Sequence, residues 1–337
     1  MIIGSRDTSA RVLIVAEIGN NHEGSRAAAE DMVREAARAG ADAVKTQTFR
    51  TEHFVGRSDA ARFARLQSFQ LSVEDMRALG GLARSLGLLF ISTPLDLGSA
   101  DGLEPIVDAF KIASGDVTFR PLIERVAGAR KPVILSSGAS SLVEIGRALD
   151  WLRDARVDRR LSADDTAVLH CVSSYPAPER DANLATIATL ARMWPVTVGY
   201  SDHVIGIDAA VLSVAAGARI VEKHFTLDKQ TSGFRDHQLS ADPAEMAELV
   251  SRIRQAEALL GDGEKRVQPS EAPNRPLIRR SAVAARDLDP GHVLAADDVV
   301  WLRPEGGLAP GEERSLIGRA LTRTLSAGDR LRADDVA

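Results

Sequence analysis

The chain has 337 residues, 45% hydrophobic and 26% charged, and its 42 basic and 47 acidic side chains give a formal net charge of −5. Such values exclude a disordered or collagen-like chain, and the acidic balance argues against a nucleic-acid partner held by bulk charge. A single cysteine, Cys171, excludes an internal disulfide or a cysteine metal cluster; with no leader-like start and no apolar run of about 18 residues, a cytoplasmic protein without a membrane partner is expected.

From the N-terminus onward, short runs rich in Val, Ile and Leu alternate with helical patterns. Strands are predicted over 12–18, 43–48, 88–92, 109–112, 132–136, 167–172, 196–200 and 218–225. Helices are predicted over 26–39, 73–85, 121–129, 142–155, 184–193, 207–216 and 243–260, with a weaker candidate at 99–106. The strands read as nearly continuous apolar stretches, the pattern of parallel strands buried on both faces. Ser72 opens S-V-E-D as a capping box, and Gly40, Gly87 and Gly261 stand where helices end in a left-handed residue. Eight strand–helix units over about 250 residues predict a (β/α)8 TIM barrel. The doubly wound alternative lacks its G-x-G-x-x-G after the first strand.

The rhythm stops near Gly261. The chain therefore divides into a barrel at 1–261, a polar linker at 262–280 with Pro269 and Pro273, and a small β-rich domain at 281–337. That last domain carries a repeat: R-D-L-D-P-G-H-V-L-A-A-D-D-V at 286–299 and R-T-L-S-A-G-D-R-L-R-A-D-D-V at 323–336. Two copies are too few for a solenoid, so a pseudo-symmetric fold is expected.

In a barrel, chemistry sits at the C-terminal mouth, and period-two alternation decides which strand-end side chains face it. Inward positions are Glu17, then Lys45 and Gln47, Thr93, Lys111, Ser114 and Asp116, Ser136, Ser173 and Tyr175, Ser201 and His203, and Glu222 and His224. His203 and His224 end adjacent strands, and two neutral imidazoles with open positions suit a divalent metal that also holds substrate. Glu222 is a supporting partner or a water ligand of that site. Lys45 and Lys111 need anionic partners inside a barrel. With the hydroxyls of Thr93, Ser114, Ser136 and Ser201 they form either a phosphate or carboxylate cradle, salt bridges to Glu17 or Asp116, or a Schiff-base site. Asn20, Asn21, His22 and Glu23 either contact a polar substrate or form a turn before a helix capped by Ser25. His170 and Cys171 read as packing, and Lys223 as outward-facing without a role.

The ordered motifs A-E-I-G-N-N-H-E-G-S, V-K-T-Q-T, F-I-S-T-P, K-I-A-S-G-D, L-S-S-G, L-H-C-V-S-S-Y-P, G-Y-S-D-H, E-K-H-F-T and D-H-Q-L-S resemble those of the N-acetylneuraminate (sialic acid) synthase family. The tail resembles the antifreeze-like (SAF) domain that follows the barrel in those enzymes. The resemblance covers nearly the whole chain. It implies a transferase that condenses phosphoenolpyruvate with an N-acetylhexosamine, giving a nine-carbon 2-keto acid and phosphate by C–O cleavage.

It also implies roles for individual residues. His203 and His224 match the ligands of a divalent metal, Mn2+ first, with Mg2+ or Co2+ as alternatives. Lys45, Thr93, Ser114, Ser136, Ser173, Tyr175 and Ser201 match the phosphoenolpyruvate site. Glu17, Lys111 and Asp116 match residues at the reacting carbons, and Gln47, Asp236 and Arg303 match the sugar side. Family members are domain-swapped homodimers. Ser173 replaces a common asparagine, Asp116 a common glutamate, and G-F-R-D-H at 233–237 a common G-P-D-H. These changes leave open N-acetylmannosamine, its 6-phosphate or a diacetamido-trideoxy sugar as acceptor. Two rival readings rank behind this one: a metal-dependent pyruvate aldolase, and a non-catalytic carbohydrate- or ice-binding protein.

Overall fold

A computed structural model describes residues 1–337, which divide into two units, Met1–Gly261 and Asp262–Ala337. In the first unit eight parallel strands close into a barrel: β1 (Leu13–Gly19), β2 (Ala43–Thr48), β3 (Leu89–Pro94), β4 (Ala109–Ile112), β5 (Val133–Ser136), β6 (Thr166–Cys171), β7 (Thr197–Asp202) and β8 (Ile220–His224), with β8 pairing back onto β1. The outer ring is α1 (Arg26–Arg38), α2 (Val73–Ser85), α3 (Leu97–Leu103), α4 (Arg120–Gly128), α5 (Leu142–Ala155), α6 (Thr186–Met193), α7 (Asp208–Ala215) and α8 (Pro243–Leu260).

Local chemistry starts these helices where they start. The Ser25 hydroxyl accepts from the Ala28 N–H at 3.2 Å and caps α1. Reciprocal boxes open α2 (Ser72 with Asp75), α5 (Ser141 with Glu144) and α8 (Asp242 with Glu245). Asp96 caps α3 through the Ser99 N–H, so that helix begins at Leu97 rather than at the expected 99. The stripe Ala29, Met32, Val33 and Ala36 buries α1 against the sheet.

The lower barrel interior is apolar, filled by Leu13, Val15, Leu89, Ile91, Ile134, Leu169 and Ile220. Met1 and Ile3 join this layer from an N-terminal hairpin of Ile2–Ile3 and Arg6–Asp7, an element the sequence pattern did not indicate. Above that layer the interior turns polar. The β2–α2 connection also holds two unexpected helices, Thr51–Phe54 and Ala60–Phe69. The second buries only Phe69, so its periodic signal is faint.

In the second unit β9 (Ser281–Ala284) pairs antiparallel with β10 (Val299–Leu302). Isolated bridges such as Leu288 with Leu325 and Leu321 with Val336 link the rest, over a core that includes Leu294, Leu316 and Leu331. The repeat is visible as two equivalent ion pairs, Arg286–Asp298 at 2.7 Å and Arg323–Asp335 at 2.6 Å. Each aspartate also accepts a backbone N–H three residues earlier, from Ala295 and Arg332. The segment expected as linker contains a short helix, Arg275–Ile278.

Candidate active site

Strand register sets the mouth. Glu17 and Lys45 are direct partners across β1 and β2, and His224 lies opposite Glu17 on the closing side. A register shift after Glu17 bulges the end of β1. Gly19 adopts φ +48° there, and a Cβ on it would stand 3.0 Å from Glu17 Oε1. The bulge and the missing side chain let the Glu17 carboxylate fold over the strand end.

Four charged groups meet in the polar layer. Lys45 Nζ lies 3.1 Å from Glu17 Oε1 and 3.1 Å from Glu222 Oε1. Lys111 Nζ lies 3.4 Å from Glu222 Oε2 and donates to Ser136 Oγ at 2.6 Å. Ser201 donates to Glu222 Oε1 at 3.1 Å, and Lys45 is within 3.4 Å of Thr93 Oγ1. All are buried. Burial works against the charge on each, and the partners decide the balance. Glu222 would be pushed up by burial, but Lys111 and Lys45 hold it at about 2. Lys45, with two carboxylates, is raised in spite of burial. Lys111, with one, is lowered by burial. Glu17 is raised by burial beyond what Lys45 offsets, so burial weakens one charge of each sign, on Glu17 and on Lys111.

Hydroxyls and a glycine extend this polar floor. Ser114 Oγ accepts from the Gly138 N–H at 3.0 Å. A Cβ on Gly138 would lie 2.3 Å from Ser173 Oγ and 2.9 Å from Ser114 Oγ. The glycine therefore keeps open a small space lined by donors. Asp116 ends the same turn, Ser114–Asp116, without a charged partner; burial raises it to about 6.

The imidazoles of His203 and His224 have ring centroids 5.3 Å apart. Burial lowers the pKa of both, that of His224 well below the usual histidine range, with His203 adding to the shift. His203 Nδ1 donates to the Val172 carbonyl at 2.7 Å, which leaves Nε2 as a lone-pair donor. No third histidine, cysteine or carboxylate completes a ligand set with them. Two neutral nitrogens with open positions fit a divalent cation that must also take oxygen ligands from a substrate. Tyr175 stacks on His203 at 4.1 Å between centroids, and Arg235 lies over the other part of that system, 5.0 Å from the Tyr175 ring centre.

The remaining wall is rich in acceptors. Gln47 donates to Glu17 Oε1 at 3.1 Å and accepts from Asn20 at 2.9 Å. Glu17 Oε2, Asn20 Oδ1, Asn21 Oδ1 and Asp236 Oδ1 are buried without a hydrogen-bond partner. Asp236 follows Arg235 in a segment that His237 anchors: its Nδ1 pairs with Thr226 Oγ1 at 2.7 Å and its Nε2 with Glu23 Oε1 at 3.1 Å. Arg303 belongs to the C-terminal unit, where it is exposed before a cis proline, Pro304.

Two residues do more than their place in the sequence indicates. Glu222 is the shared counter-charge of both lysines, not merely a supporting partner of a histidine; Asp116 pairs with neither lysine. Cys171 places Sγ 3.7 Å from His203 Nδ1 and is register partner to Ser201, so it lines the site. Its parity with Ser173 and Tyr175 is the signal that marks it.

The NeuB family matches residues 32–265, and the SAF domain matches residues 279–337. An N,N'-diacetyllegionaminic acid synthase from Legionella pneumophila is 40% identical, with 98% of this chain and 96% of that protein covered. A crystal structure of N-acetylneuraminic acid (sialic acid) synthetase from Leptospira borgpetersenii, in complex with citrate, superposes with a TM-score of 0.75 at 34% identity, over 81% of this chain and 94% of that one. A spore coat polysaccharide biosynthesis protein from Bacillus subtilis gives a TM-score of 0.67 at 31% identity, over 100% and 99% of the two chains. A barrel with this mouth, a family match over most of its length and full-length synthase relatives lead to one conclusion: the chain belongs to the NeuB family, the family of the sialic acid synthases, and ends in a SAF domain.

Proposed function

We propose that this chain condenses phosphoenolpyruvate with the aldehyde form of an N-acetylated amino sugar, yielding a nine-carbon 2-keto acid and inorganic phosphate. The observation that carries this reading is the buried cluster in which Lys45 and Lys111 share Glu222 beside a hydroxyl-lined space. Two buried lysines beside several hydroxyls suit a small molecule bearing both carboxylate and phosphate. The acceptors without hydrogen bonds at Glu17 Oε2, Asn20 Oδ1 and Asn21 Oδ1 suit a polyol with amide N–H groups.

His203 and His224 would hold a divalent cation, Mn2+ first, which would supply Lewis-acid polarisation of the sugar's aldehyde oxygen. The lysines and serines bind and orient the enol phosphate. Its C3 bonds to the aldehyde carbon, and the aldehyde oxygen takes up a proton to become a hydroxyl. Water adds at C2 and Glu17 accepts its proton, a role supported by a buried Oε2 that no protein donor occupies. The C2–O bond to phosphate then breaks, phosphate leaves, and C2 becomes the ketone. Among acceptors, a diacetamido-trideoxy hexose is favoured by the 40% relative named a diacetyllegionaminic acid synthase. Arg235, which lies over Tyr175, is the departure that would read its extra substituent.

The test is to incubate the protein with phosphoenolpyruvate, Mn2+ and a panel of N-acetylated hexosamines, and to measure phosphate together with 2-keto acid. Equimolar release of both with one acceptor is expected, abolished in His203→Ala, His224→Ala or chelator. Product formed from pyruvate without phosphate would select the aldolase reading, and undiminished turnover in metal-free buffer would remove the metal.

A further inference from the structure

On the faces of β7 and β8 that look away from the barrel axis, Asp202 and Lys223 form an ion pair shut off from solvent. Lys223 Nζ lies 2.9 Å from Asp202 Oδ2, and the two side chains are 1% and 0% exposed. The outward turn expected of Lys223 is therefore a turn into the helix layer, not into water. The two residues are register partners, and each directly precedes one of the paired histidines. Alternation sends the imidazoles inward and the ion pair outward from the same stretch of backbone.

The pair also seizes the residue that follows His203. Asp202 Oδ1 accepts from the Val204 N–H at 2.9 Å, and Lys223 Nζ donates to the Val204 carbonyl at 2.5 Å. On its other side the His203 carbonyl accepts from the Ala177 N–H at 2.9 Å. A buried ion pair is no better for stability than a well-packed apolar pair, because desolvation cancels most of the attraction. What it adds is register: two adjacent strand ends are fastened through charge and through both backbone groups of one residue, Val204.

We propose that Asp202 and Lys223 are positioning residues that fix the separation of His203 and His224 before a cation arrives. This inference rests on the reading of those two histidines as metal ligands. A ligand pair preset in this way loses less ordering entropy on binding, and partners behind metal ligands commonly govern affinity.

The test titrates Mn2+ into the full chain and follows the free ion by electron paramagnetic resonance. Asp202→Asn with Lys223→Met removes the ion pair and the tether to the Val204 carbonyl without leaving a buried lone charge. The double variant is expected to stay folded by circular dichroism and to bind Mn2+ about 10- to 100-fold more weakly than the native chain. Leu149→Ala on α5 serves as a control for stability lost elsewhere in the barrel and should retain native affinity. Native Mn2+ affinity in the folded double variant, or an equal loss in the control, overturns the proposal. Hydrogen exchange on the unaltered protein supplies a test that needs no variant. The Val204 amide should be equally protected with and without Mn2+; protection that appears only with the ion overturns the proposal as well. Should the native chain and its His203→Ala form bind Mn2+ alike, it is the ligand assignment that fails, and the positioning role falls with it.

Discussion

Lys111 and Glu222 face each other at 3.4 Å from strands on opposite sides of the barrel, β4 and β8. Glu222 is the one carboxylate within ion-pair reach of Lys111, while Lys45 also has Glu17. Glu222→Gln therefore strands a buried ammonium. Loss of roughly 3–5 kcal/mol of stability is expected for breaking a pair of this kind. Inorganic phosphate should raise the melting temperature of the variant more than that of the native protein, since an anion can take the missing carboxylate's place. Calorimetry with and without phosphate checks both parts.

A second prediction concerns acid. Burial holds His22 at about 4, against 6.5 for an exposed histidine. Between those values the unfolded chain binds a proton that the native imidazole refuses, so stability is lost as pH falls from 6.5 toward 4. The full effect of one such group is roughly 3 kcal/mol. His22→Gln, which cannot take the proton, should flatten the fall in melting temperature across this window while leaving the profile above pH 7 unchanged.

Asp116 has the opposite sign. Its carboxyl is raised to about 6 by burial alone. The native state there holds a proton that the unfolded chain has already released, so this group favours the fold at low pH and loses that contribution as pH rises through 6. Asp116→Asn should raise the melting temperature at pH 7–8 and not at pH 4, measured by thermal scans at fixed ionic strength.

The bulge on β1 gives a backbone prediction. Gly19→Ala places a methyl group 3.0 Å from the Glu17 carboxylate in a left-handed conformation, φ +48°. A cost of about 1–2 kcal/mol is expected from the backbone alone. Because the carboxylate must also move, turnover should fall by more than stability implies. Comparing phosphate release with the fraction folded separates the two.

The barrel and most of its mouth were legible because buried parallel strands leave near-continuous apolar runs and alternate their strand-end side chains. Lys45, Lys111, His203 and His224 could be placed on one face from that alternation alone. What was not legible depended on partners distant in sequence. Glu222 looked like a histidine's neighbour, because nothing local indicates that β4 and β8 face each other across the axis. Lys223 looked idle, because an outward lysine on a barrel strand meets helices rather than water. The hairpin beneath the barrel has two-residue strands, too short to carry any period, and the helix Ala60–Phe69 buries one side chain.

That one side chain has a reach beyond its own helix. Phe69 meets Phe234 edge-on, with ring centroids 5.3 Å apart, and so couples the insertion after β2 to the segment that carries Arg235 and Asp236. The preceding turn joins them, since Gly24 admits the Ser68 carbonyl where any Cβ would collide. Under the proposed function, selectivity for the incoming sugar would be a joint property of these three stretches, which lie far apart in the gene. Libraries that randomise one of them alone should yield mostly crippled variants, whereas recombining all three as a block should transfer preference intact.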